Sequence, residues 1–228
     1  MSSRVSPIAA LCAMASLVAP ASAVVIDTFS DSDLSEYTLT RVLDNGVAES
    51  NIAFSSPSGS LQTTYSGTVN QAEQVLFLRD DYTLNVGQTI FLDTAFATTT
   101  AQMDFGLAIG AAAATAGASA LDTDTRDTMD WLAVYVRPSQ DAVRVTSSIS
   151  GVVVTAAGVL GSGETLVSRL FITRTSATTF SAGFIDTSDV SHTNVTVDFS
   201  GSSSIGDAVG FYADLRAVGG TLGNVDNL

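Results

Sequence analysis

Cysteine is almost missing from this sequence of 228 residues, and lysine is missing altogether. Cys12 is the single cysteine, and it lies in an N-terminal segment that we expect to be removed, so the mature chain can form no disulfide bond. A cysteine nucleophile is excluded for the same reason. The fold must therefore be stabilised by the burial of apolar side chains in a chain that is 46% hydrophobic.

Positive charge is also scarce. All nine basic residues are arginine, against 23 acidic residues, and the formal net charge is −14. A surface with this charge repels nucleic acids and anionic membranes and attracts cations. We therefore expect no nucleic-acid partner, and the composition is typical of a protein that stays dissolved in a salty or cation-rich exterior.

Residues for nucleophilic catalysis are few. His192 is the only histidine, and it lies in the polar stretch "SDVSHTNV", where we expect a solvated side chain in a turn. No Gly-x-Ser-x-Gly elbow is present, and "GVLGSGET" lacks the lysine of a phosphate-binding loop. The sequence thus favours neither a serine hydrolase nor a nucleotide-binding protein.

The N-terminus has the three parts of a secretory signal peptide. Arg4 supplies the positive charge, "IAALCAMASLVA" the apolar segment, and "ASA" the small residues before a cleavage site that follows Ala23. The apolar segment is shorter than the roughly 20 residues that span a membrane, so we expect no membrane span in the mature chain. Residues 1–23 are interpreted as a signal peptide of a secreted or cell-surface protein; an uncleaved anchor is the alternative.

Strand patterns dominate the remaining residues. In "MDFGLAI", residues 103–109, every second side chain is large and apolar, which predicts a half-buried strand. A hairpin turn is predicted near Ser176 and Ala177, and a flexible loop at "GAAAATAGASA", residues 110–120. Many short strands without intervening helices predict one all-β domain over residues 24–228, an antiparallel β-sandwich of the jelly-roll type. The other predicted strands are "VVIDTF", "YTLTRVL", "EQVLFLR", "TIFLDTAFAT", "WLAVYVRP", "VRVTSSI", "LVSRLFITRT", "TFSAGFID", "NVTVDFS" and "AVGFYADL".

Both ends of the mature chain resemble one superfamily. The start "VVIDTFSDSDLSEYTLT" and the end "AVGFYADLRAVGGTLGNVDNL" are similar to the opening and closing segments of bacterial jelly-roll domains. These domains belong to the concanavalin A-like lectin/glucanase superfamily, which includes laminin-G-like domains. The resemblance implies a jelly roll in which the first and last strands are adjacent.

A second resemblance concerns the arrangement of the whole chain. A signal peptide, an Asp-rich domain without cysteine and a final "DNL" are similar to bacterial exosortase-sorted (PEP-CTERM-type) surface proteins. Those proteins continue with a Pro-Glu-Pro motif, a membrane helix and a basic tail, whereas this sequence stops at Leu228. Two interpretations stay open: the sequence is truncated before a sorting tail, or the protein is released.

Glucanases of this superfamily place two catalytic glutamates on one strand with an aspartate between them. Side chains four residues apart in a strand point the same way, which suits the short carboxylate separation of a retaining glycosidase. The glutamates here are too far apart in sequence for that motif: Glu36, Glu49, Glu73 and Glu164. We therefore expect a domain that is not an enzyme; the alternative is a glycan-degrading hydrolase whose carboxylates converge from distant positions.

Four aspartates crowd the stretch "LDTDTRDTMDW", residues 121–131. An EF-hand loop does not fit, because Arg126 stands at the fifth position and Asp127 stands where glycine is required. A looser calcium site and a solvated turn are the two interpretations. The positive charge of Arg126 neutralises its neighbours without a metal and favours the turn.

The predicted strand "WLAVYVR" provides a candidate ligand platform. Trp131, Tyr135 and Arg137 share one side of it, and the aliphatic residues share the other. If the side with the rings is exposed, sugar rings can stack on it while the guanidinium donates hydrogen bonds to sugar hydroxyls. The alternative is that both sides are buried, as is usual for tryptophan.

A calcium site is implied by the resemblance and not by a motif. Several jelly-roll domains of this kind hold a structural Ca²⁺ where the first and last strands meet. The resemblance places Asp27, in "VVIDTF", and Asp226, in "NVDNL", near that junction, with Asp31 or Asp33 as a further oxygen donor. The alternative is that these aspartates cap turns and keep edge strands from aggregating.

The expected function is that of a secreted, non-catalytic domain. It either binds an extracellular polysaccharide or serves as a building block of a surface or matrix. The sequence does not define the sugar or the oligomeric state.

The signal peptide generates the first testable prediction. We expect cleavage after Ala23, because the small residues of "ASA" fit the signal peptidase site. Intact-mass measurement of the exported protein should give a chain that begins at Val24. A stable exported product that begins at Met1 or Ser2 would contradict it.

Overall fold

The computed structural model describes residues 25–43, 52–56, 59, 61–66, 73–94, 103–111, 130–149, 151–157, 167–200, 204–215 and 225–227. Within these ranges the regular structure is almost entirely β, and a 3₁₀ turn at Pro138–Gln140 follows the seventh strand. In this part of the chain we find no helix with the length and apolar character needed to cross a membrane. The strands, numbered in chain order, are β1 (Thr38–Leu43), β2 (Ile52–Ser55), β3 (Gln62–Tyr65), β4 (Glu73–Arg79), β5 (Thr89–Thr94), β6 (Met103–Gly110), β7 (Trp131–Arg137), β8 (Ala142–Ser147), β9 (Gly151–Ala157), β10 (Val167–Arg174), β11 (Thr179–Asp186), β12 (Ser191–Asp198), β13 (Ala208–Leu215) and β14 (Val225–Asn227).

The strands form two large sheets and a small one. The seven-stranded sheet has the order β1-β4-β13-β6-β7-β8-β9, and the five-stranded sheet has the order β12-β11-β10-β5-β14. Strands β2 and β3 form a two-stranded sheet of their own. Every pairing is antiparallel. The predicted fold class, an all-β antiparallel sandwich, is therefore confirmed.

The main core lies between the two large sheets. Phe105, Leu107 and Ile109 of β6 and Leu170 and Ile172 of β10 belong to one apolar cluster, and each is at most 2% exposed. They occupy alternate positions of their strands, which is the inward side predicted for "MDFGLAI". Complete burial of a side chain of this size contributes about 1.5–3 kcal/mol, so this cluster is the main source of stability.

Aromatic rings connect the N-terminal segment and the β2–β3 hairpin to this core. The ring centroid of Phe211, in β13, lies 5.7 Å from those of Phe29 and Tyr37. Phe77, in β4, stacks on Tyr37 at 4.8 Å and on Phe54 of the hairpin at 4.1 Å. The peripheral elements are thus held by ring contacts to the centre of the seven-stranded sheet.

The strand predicted for "VVIDTF" is wrong, since its described residues, 25–29, are irregular with a bend at Ile26. Asp27 Oδ1 accepts a hydrogen bond from the backbone N–H of Phe29 at 2.7 Å, and Asp31 and Asp33 accept from the N–H two residues on at 3.1 and 2.9 Å. Such local side-chain bonds compete with strand pairing. Phe29 adopts a φ of 55° and buries its ring in the core.

The predicted adjacency of the first and last strands is also wrong for the strands that are described. β1 lies at the edge of the seven-stranded sheet beside β4, whereas β14 lies at the edge of the five-stranded sheet beside β5. The described N-terminal residues that were expected to pair, 25–29, form no strand, and β13 already has β4 and β6 as neighbours.

Close packing of β6 against β7 generates the second prediction. A Cβ atom at Gly106 would lie 2.0 Å from the carbonyl oxygen of Val134 and 2.4 Å from Cα of Tyr135. Gly106→Ala should therefore lower the free energy of unfolding by about 2–3 kcal/mol, as overpacking does in other cores. Chemical denaturation measures this value. Thr64→Ala, at an exposed position of β3, is the control and should change it by less than about 0.5 kcal/mol. An unaltered stability of Gly106→Ala would contradict the strand contact.

Candidate functional site

The outward face of the seven-stranded sheet is buried, although the prediction for β6 was a half-buried strand. Leu76, Leu78, Trp131, Tyr135 and Tyr212 lie on this face, and each is at most 1% exposed. They form a second apolar cluster that is separate from the main core. Where these five residues lie, the sheet is therefore enclosed on both sides, and none of the five rings and side chains is open to solvent.

Two tyrosine rings meet over a glycine at the centre of this face. Tyr212 of β13 and Tyr135 of β7 are both paired with Gly106 of β6, and their ring centroids lie 4.9 Å apart. The indole of Trp131 stacks on Tyr212 at 5.9 Å. Burial, together with the nearby Asp104 carboxylate, raises the pKa of Tyr135 to about 12, so the phenol stays neutral at physiological pH.

A row of polar side chains crosses the same face. Asp214 of β13 is the cross-strand partner of both Gln74 of β4 and Asp104 of β6. Gln74 Nε2 donates to Asp214 Oδ2 at 3.3 Å, and Arg137 Nη1 lies 3.5 Å from Asp104 Oδ2. Asp104 and Asp214 are each 1% exposed. Two carboxylates thus stand opposite one another, and Arg137 offsets the repulsion that such a pair would otherwise suffer.

The predicted ligand platform is present but enclosed. Trp131, Tyr135 and Arg137 do share one side of β7, as the alternation indicated, yet the two rings are 0% and 1% exposed. This is the arrangement of the alternative interpretation, in which both sides are buried. The Asp104–Asp214 pair was missed, because the two residues are joined only by the register between β6 and β13.

Arg79 binds three acidic side chains at the end of β4. Its guanidinium contacts Asp27 Oδ2 at 3.2 Å, Glu36 Oε1 at 3.3 Å and Asp81 Oδ1 at 2.7 Å. Tyr37 donates a further hydrogen bond to Asp27 Oδ2 at 2.9 Å. We call these five residues the arginine hub. It attaches the N-terminal segment to the seven-stranded sheet.

Protonation in the arginine hub follows from burial and from these bonds. Burial raises the pKa of Tyr37 above its usual range, so Tyr37 remains a donor. Burial also raises the pKa of Glu36, whereas the hydrogen bonds from Arg79 lower the pKa of Asp81. The Asp81 pairing therefore stabilises the fold above the unfolded pKa of about 3.9 and is lost as the pH falls through the folded value.

The described residues do not fit the predicted calcium site. Both oxygens of Asp27 accept hydrogen bonds, and the positive charge beside it is Arg79. Asp226 lies in β14 at the edge of the five-stranded sheet, and its side chain is outside the described residues. Within the described ranges no group of three or more His, Cys, Asp or Glu side chains could hold a metal. The Asp27–Asp226 site stays a prediction without support from the geometry.

Most of the stretch "LDTDTRDTMDW" lies outside the described residues, as do residues 112–120 of the predicted loop. Asp130 precedes β7, and its backbone carbonyl accepts a hydrogen bond from Ala111 at 3.2 Å. The choice between a turn and a calcium loop for residues 121–129 is therefore open.

The outward face of the five-stranded sheet differs, because much of it is open to solvent. Thr89, Thr173, Ser181 and Thr196 are successive cross-strand partners in β5, β10, β11 and β12. We call these four residues the hydroxyl row. Thr196 is exposed and the other three are half-buried, so the row is accessible along its length.

An aromatic and charged flank borders the hydroxyl row. Phe91 of β5 is half-buried and lies opposite Phe171 of β10, whose ring covers Gly183. The guanidinium of Arg169 lies 5.4 Å from the centre of the Phe91 ring, and its Nε bonds Asp93 Oδ1 at 2.5 Å. This face combines hydroxyl donors and acceptors with a partly accessible ring, which is the chemistry that was expected around Trp131.

His192 lies in strand β12 and not in the turn that was predicted. Its Nε2 lies 2.9 Å from Asp186 Oδ2, and its ring stacks on Phe184 with centroids 4.6 Å apart. The hydrogen bond with His192 lowers the pKa of Asp186. The His192 side chain is 43% exposed, so the solvated environment expected for it is present although the turn is not.

Comparisons with known proteins add one structural likeness. The chain matches no family model and no curated protein. It is similar to a solved structure of the TRIM65 PSpry domain, with 12% sequence identity and a TM-score of 0.40, over 82% of this chain and 91% of that chain. PRY/SPRY domains are β-sandwiches of the concanavalin A-like superfamily. A likeness this distant transfers no ligand, and the fold assignment rests on the strand pairings.

The arginine hub generates the third prediction. Arg79→Gln should lower the free energy of unfolding by about 3 kcal/mol, because it leaves the largely buried Asp27 carboxylate without its counter-charge. Chemical denaturation at neutral pH measures the change. Arg169→Gln is the matched control: its ion pair with Asp93 is more than 40% exposed on both sides and should contribute less than about 1 kcal/mol. Equal losses in the two variants would show that the hub is no stronger than a surface ion pair.

Proposed function

We propose that this protein is an exported, non-catalytic domain that retains an extracellular polysaccharide. The observation that carries the proposal is the open outward face of the five-stranded sheet, with its hydroxyl row beside Phe91. Export is supported by the signal-peptide pattern of residues 1–23. Binding without cleavage suits a sheet face whose described residues present hydroxyls and a ring, with the carboxylate of Asp93 already paired with Arg169.

The division between the two sheets supports the same proposal. Trp131 and Tyr135 are enclosed, so a polysaccharide cannot stack on them in the folded domain. The half-buried Phe91 and the hydroxyl row present comparable chemistry on the open side. Polar side chains with several donors and acceptors recognise sugar hydroxyls by hydrogen bonding. A building-block role without a ligand remains the competing non-catalytic proposal.

A glycan-degrading hydrolase is a second candidate, favoured by the opposed Asp104 and Asp214 carboxylates. Directly opposed strand residues have Cβ atoms about 4.5–5.5 Å apart, close to the carboxylate separation of retaining glycosidases. Both side chains are 1% exposed, however, and a hydrolytic pair must reach a glycosidic bond and a water molecule. Burial therefore places this candidate behind the binding domain.

One set of measurements on the purified protein separates these proposals and constitutes the fourth prediction. A glycan array and affinity electrophoresis in polysaccharide-containing gels measure retention, and a reducing-sugar assay on the same samples measures cleavage. We expect retention without release of reducing ends. If cleavage is observed and is lost in Asp104→Asn and in Asp214→Asn while both variants keep the cooperative thermal unfolding of the wild type, the protein is the hydrolase and not the binding domain.

A third result would favour the competing proposal, a building block of a surface or matrix that binds no polysaccharide. Absence of both retention and cleavage, in protein whose thermal unfolding is cooperative, would overturn polysaccharide binding. Variants at Trp131 are unsuitable for this test, because replacing a buried indole costs about 3–5 kcal/mol and would confuse unfolding with lost binding.

A further inference from the structure

We propose that a neutral polysaccharide lies across the strands of the five-stranded sheet, along the hydroxyl row. This inference rests on the proposed function and adds the site, the direction and the charge class of the ligand. It starts from the register: Thr173 pairs with Thr89 on one side and with Ser181 on the other, and Ser181 pairs with Thr196. Four hydroxyls therefore stand on one line that is perpendicular to the strands.

The spacing of the row suits a polymer. Neighbouring strands lie about 4.8 Å apart, so the three intervals between Thr89 and Thr196 give a row of about 14 Å. This length can contact several consecutive sugar residues of one chain. Exposure is greatest at Thr196 on the edge strand β12, which leaves the row open at that end to a polymer that extends beyond the protein.

The hydrogen-bonding capacity of the row is suited to hydroxyl ligands. The Thr89 and Thr173 hydroxyls lie 2.8 Å apart, and those of Ser181 and Thr196 lie 3.4 Å apart. Each hydroxyl has one donor and two acceptor lone pairs. A pair that shares one hydrogen therefore retains one donor and several acceptor positions, and it can exchange hydrogen bonds with a sugar in either direction.

The flank of the row adds an apolar contact beside a polar one. Phe91 follows Thr89 on the same side of β5, and its ring is half-buried with Arg169 packed against it. A sugar ring presents C–H groups that pack on an aromatic face, while its hydroxyls accept from a guanidinium. Phe91 and Arg169 would thus contact the sugar at the β5 end of the row.

Charge selects a neutral polymer. Arg169 is paired with Asp93, and the other carboxylate bordering the row, Asp198, accepts a hydrogen bond from Thr178 at 2.7 Å. The described side chains that border the row therefore carry no excess of positive charge, and the whole chain has a formal net charge of −14. An anionic polymer would be repelled at long range and would find no cationic cluster on arrival.

A protein partner fits this face less well. The core of a stable interface is apolar, whereas this face contains a line of hydroxyls and an ion pair. Its largest apolar side chain besides Phe91 is Phe171, which is only 6% exposed. Among the described side chains of this face, accessible apolar area comes from Phe91 and from the half-buried Ile185, which lies opposite Arg169. This area is small for the apolar core of an interface with a second protein.

The test, our fifth prediction, is affinity electrophoresis of the purified full chain in gels containing hydroxyethyl cellulose, dextran or alginate. The double variant Thr173→Val/Ser181→Ala removes the two central hydroxyls and keeps a β-branched side chain at the first position. We expect a neutral polymer to retain the wild type, and its Kd to rise about tenfold or more in the double variant, as loss of two hydrogen bonds predicts. Thr64→Val, at an exposed threonine of β3, is the matched control and should bind like the wild type.

The other possible binding results contradict the site, the charge class of the ligand or the proposed function. Wild-type retention that the double variant leaves unchanged overturns the hydroxyl row as the site but not the proposed function. Retention by alginate alone overturns the neutral ligand. Retention by no polymer, on the array or in the gels, overturns the proposed function and this inference with it. Melting temperatures accompany every sample; if the double variant is destabilised, Phe91→Leu replaces it, and unchanged binding in that variant counts against the site.

Discussion

Ring-on-ring contact around Phe77 and Phe211 is the interaction on which the rest of this sandwich depends. Cys12 is the single cysteine of the sequence, so no disulfide within the chain can attach the N-terminal segment or the β2–β3 hairpin. They are attached by Phe29 and Tyr37 on one side and by Phe54 on the other. Aromatic pairs of this kind contribute about 0.5–1.5 kcal/mol each beyond their buried area. The same contacts position the arginine hub, since the guanidinium of Arg79 lies 5.2 Å from the centre of the Tyr37 ring.

Enclosing the outward face of the seven-stranded sheet removes the carboxylates of Asp104 and Asp214 from water, which is unfavourable. Burying Asp104 and Asp214 opposite one another is unfavourable unless each carboxylate is satisfied, and Arg137 and Gln74 contact them. A shift of β13 by one residue would turn Asp214 toward the apolar core and Ala213 away from it. The row therefore penalises the wrong register, which gives these buried charges a structural reason to exist without any ligand.

Sequence patterns predicted most of the long strands, and the reasons for the failures are physical. The seven-residue strand β9, Gly151–Ala157, was missed, because its run of valine and alanine shows no alternation of apolar and polar residues. The apolar runs of β4, β7 and β13 are long enough to show their period, whereas β2 and β3 have four residues each and show none. "VVIDTF" has strand composition, but the local hydrogen bond of Asp27 decides its conformation. The alternation in "WLAVYVR" correctly placed Trp131 and Arg137 on one side. It could not show that this side is enclosed, although the small residues Gly106 and Ala108 in β6 were a sign that rings pack against them.

Clusters of residues that meet only through the pairing register of distant strands could not be predicted from the sequence. Asp104 and Asp214 are distant along the chain and meet only because β6 and β13 are neighbours. The hydroxyl row poses the same difficulty, because four strands must be aligned before four separate residues become one line. Alternating threonines in "ITRTSATTF" predict an exposed strand face, but they do not show which residues of other strands lie beside them.

Threonine alone does not make a binding site, because β-propensity favours it on any solvated strand. The β-propensity of threonine is thus a sufficient reason for Thr89, Thr173 and Thr196 to occur in these strands. Ser181 is different: serine is not a preferred strand residue, yet it continues the line of hydroxyls without interruption in β11. Phe91 is also different, since an aromatic ring left half-exposed beside Arg169 gains less from burial than it would in the core. These two residues depart from what folding alone would favour, and both border the same row. That coincidence, on the open sheet of a domain whose other aromatic face is enclosed, is the reason to look for the ligand there.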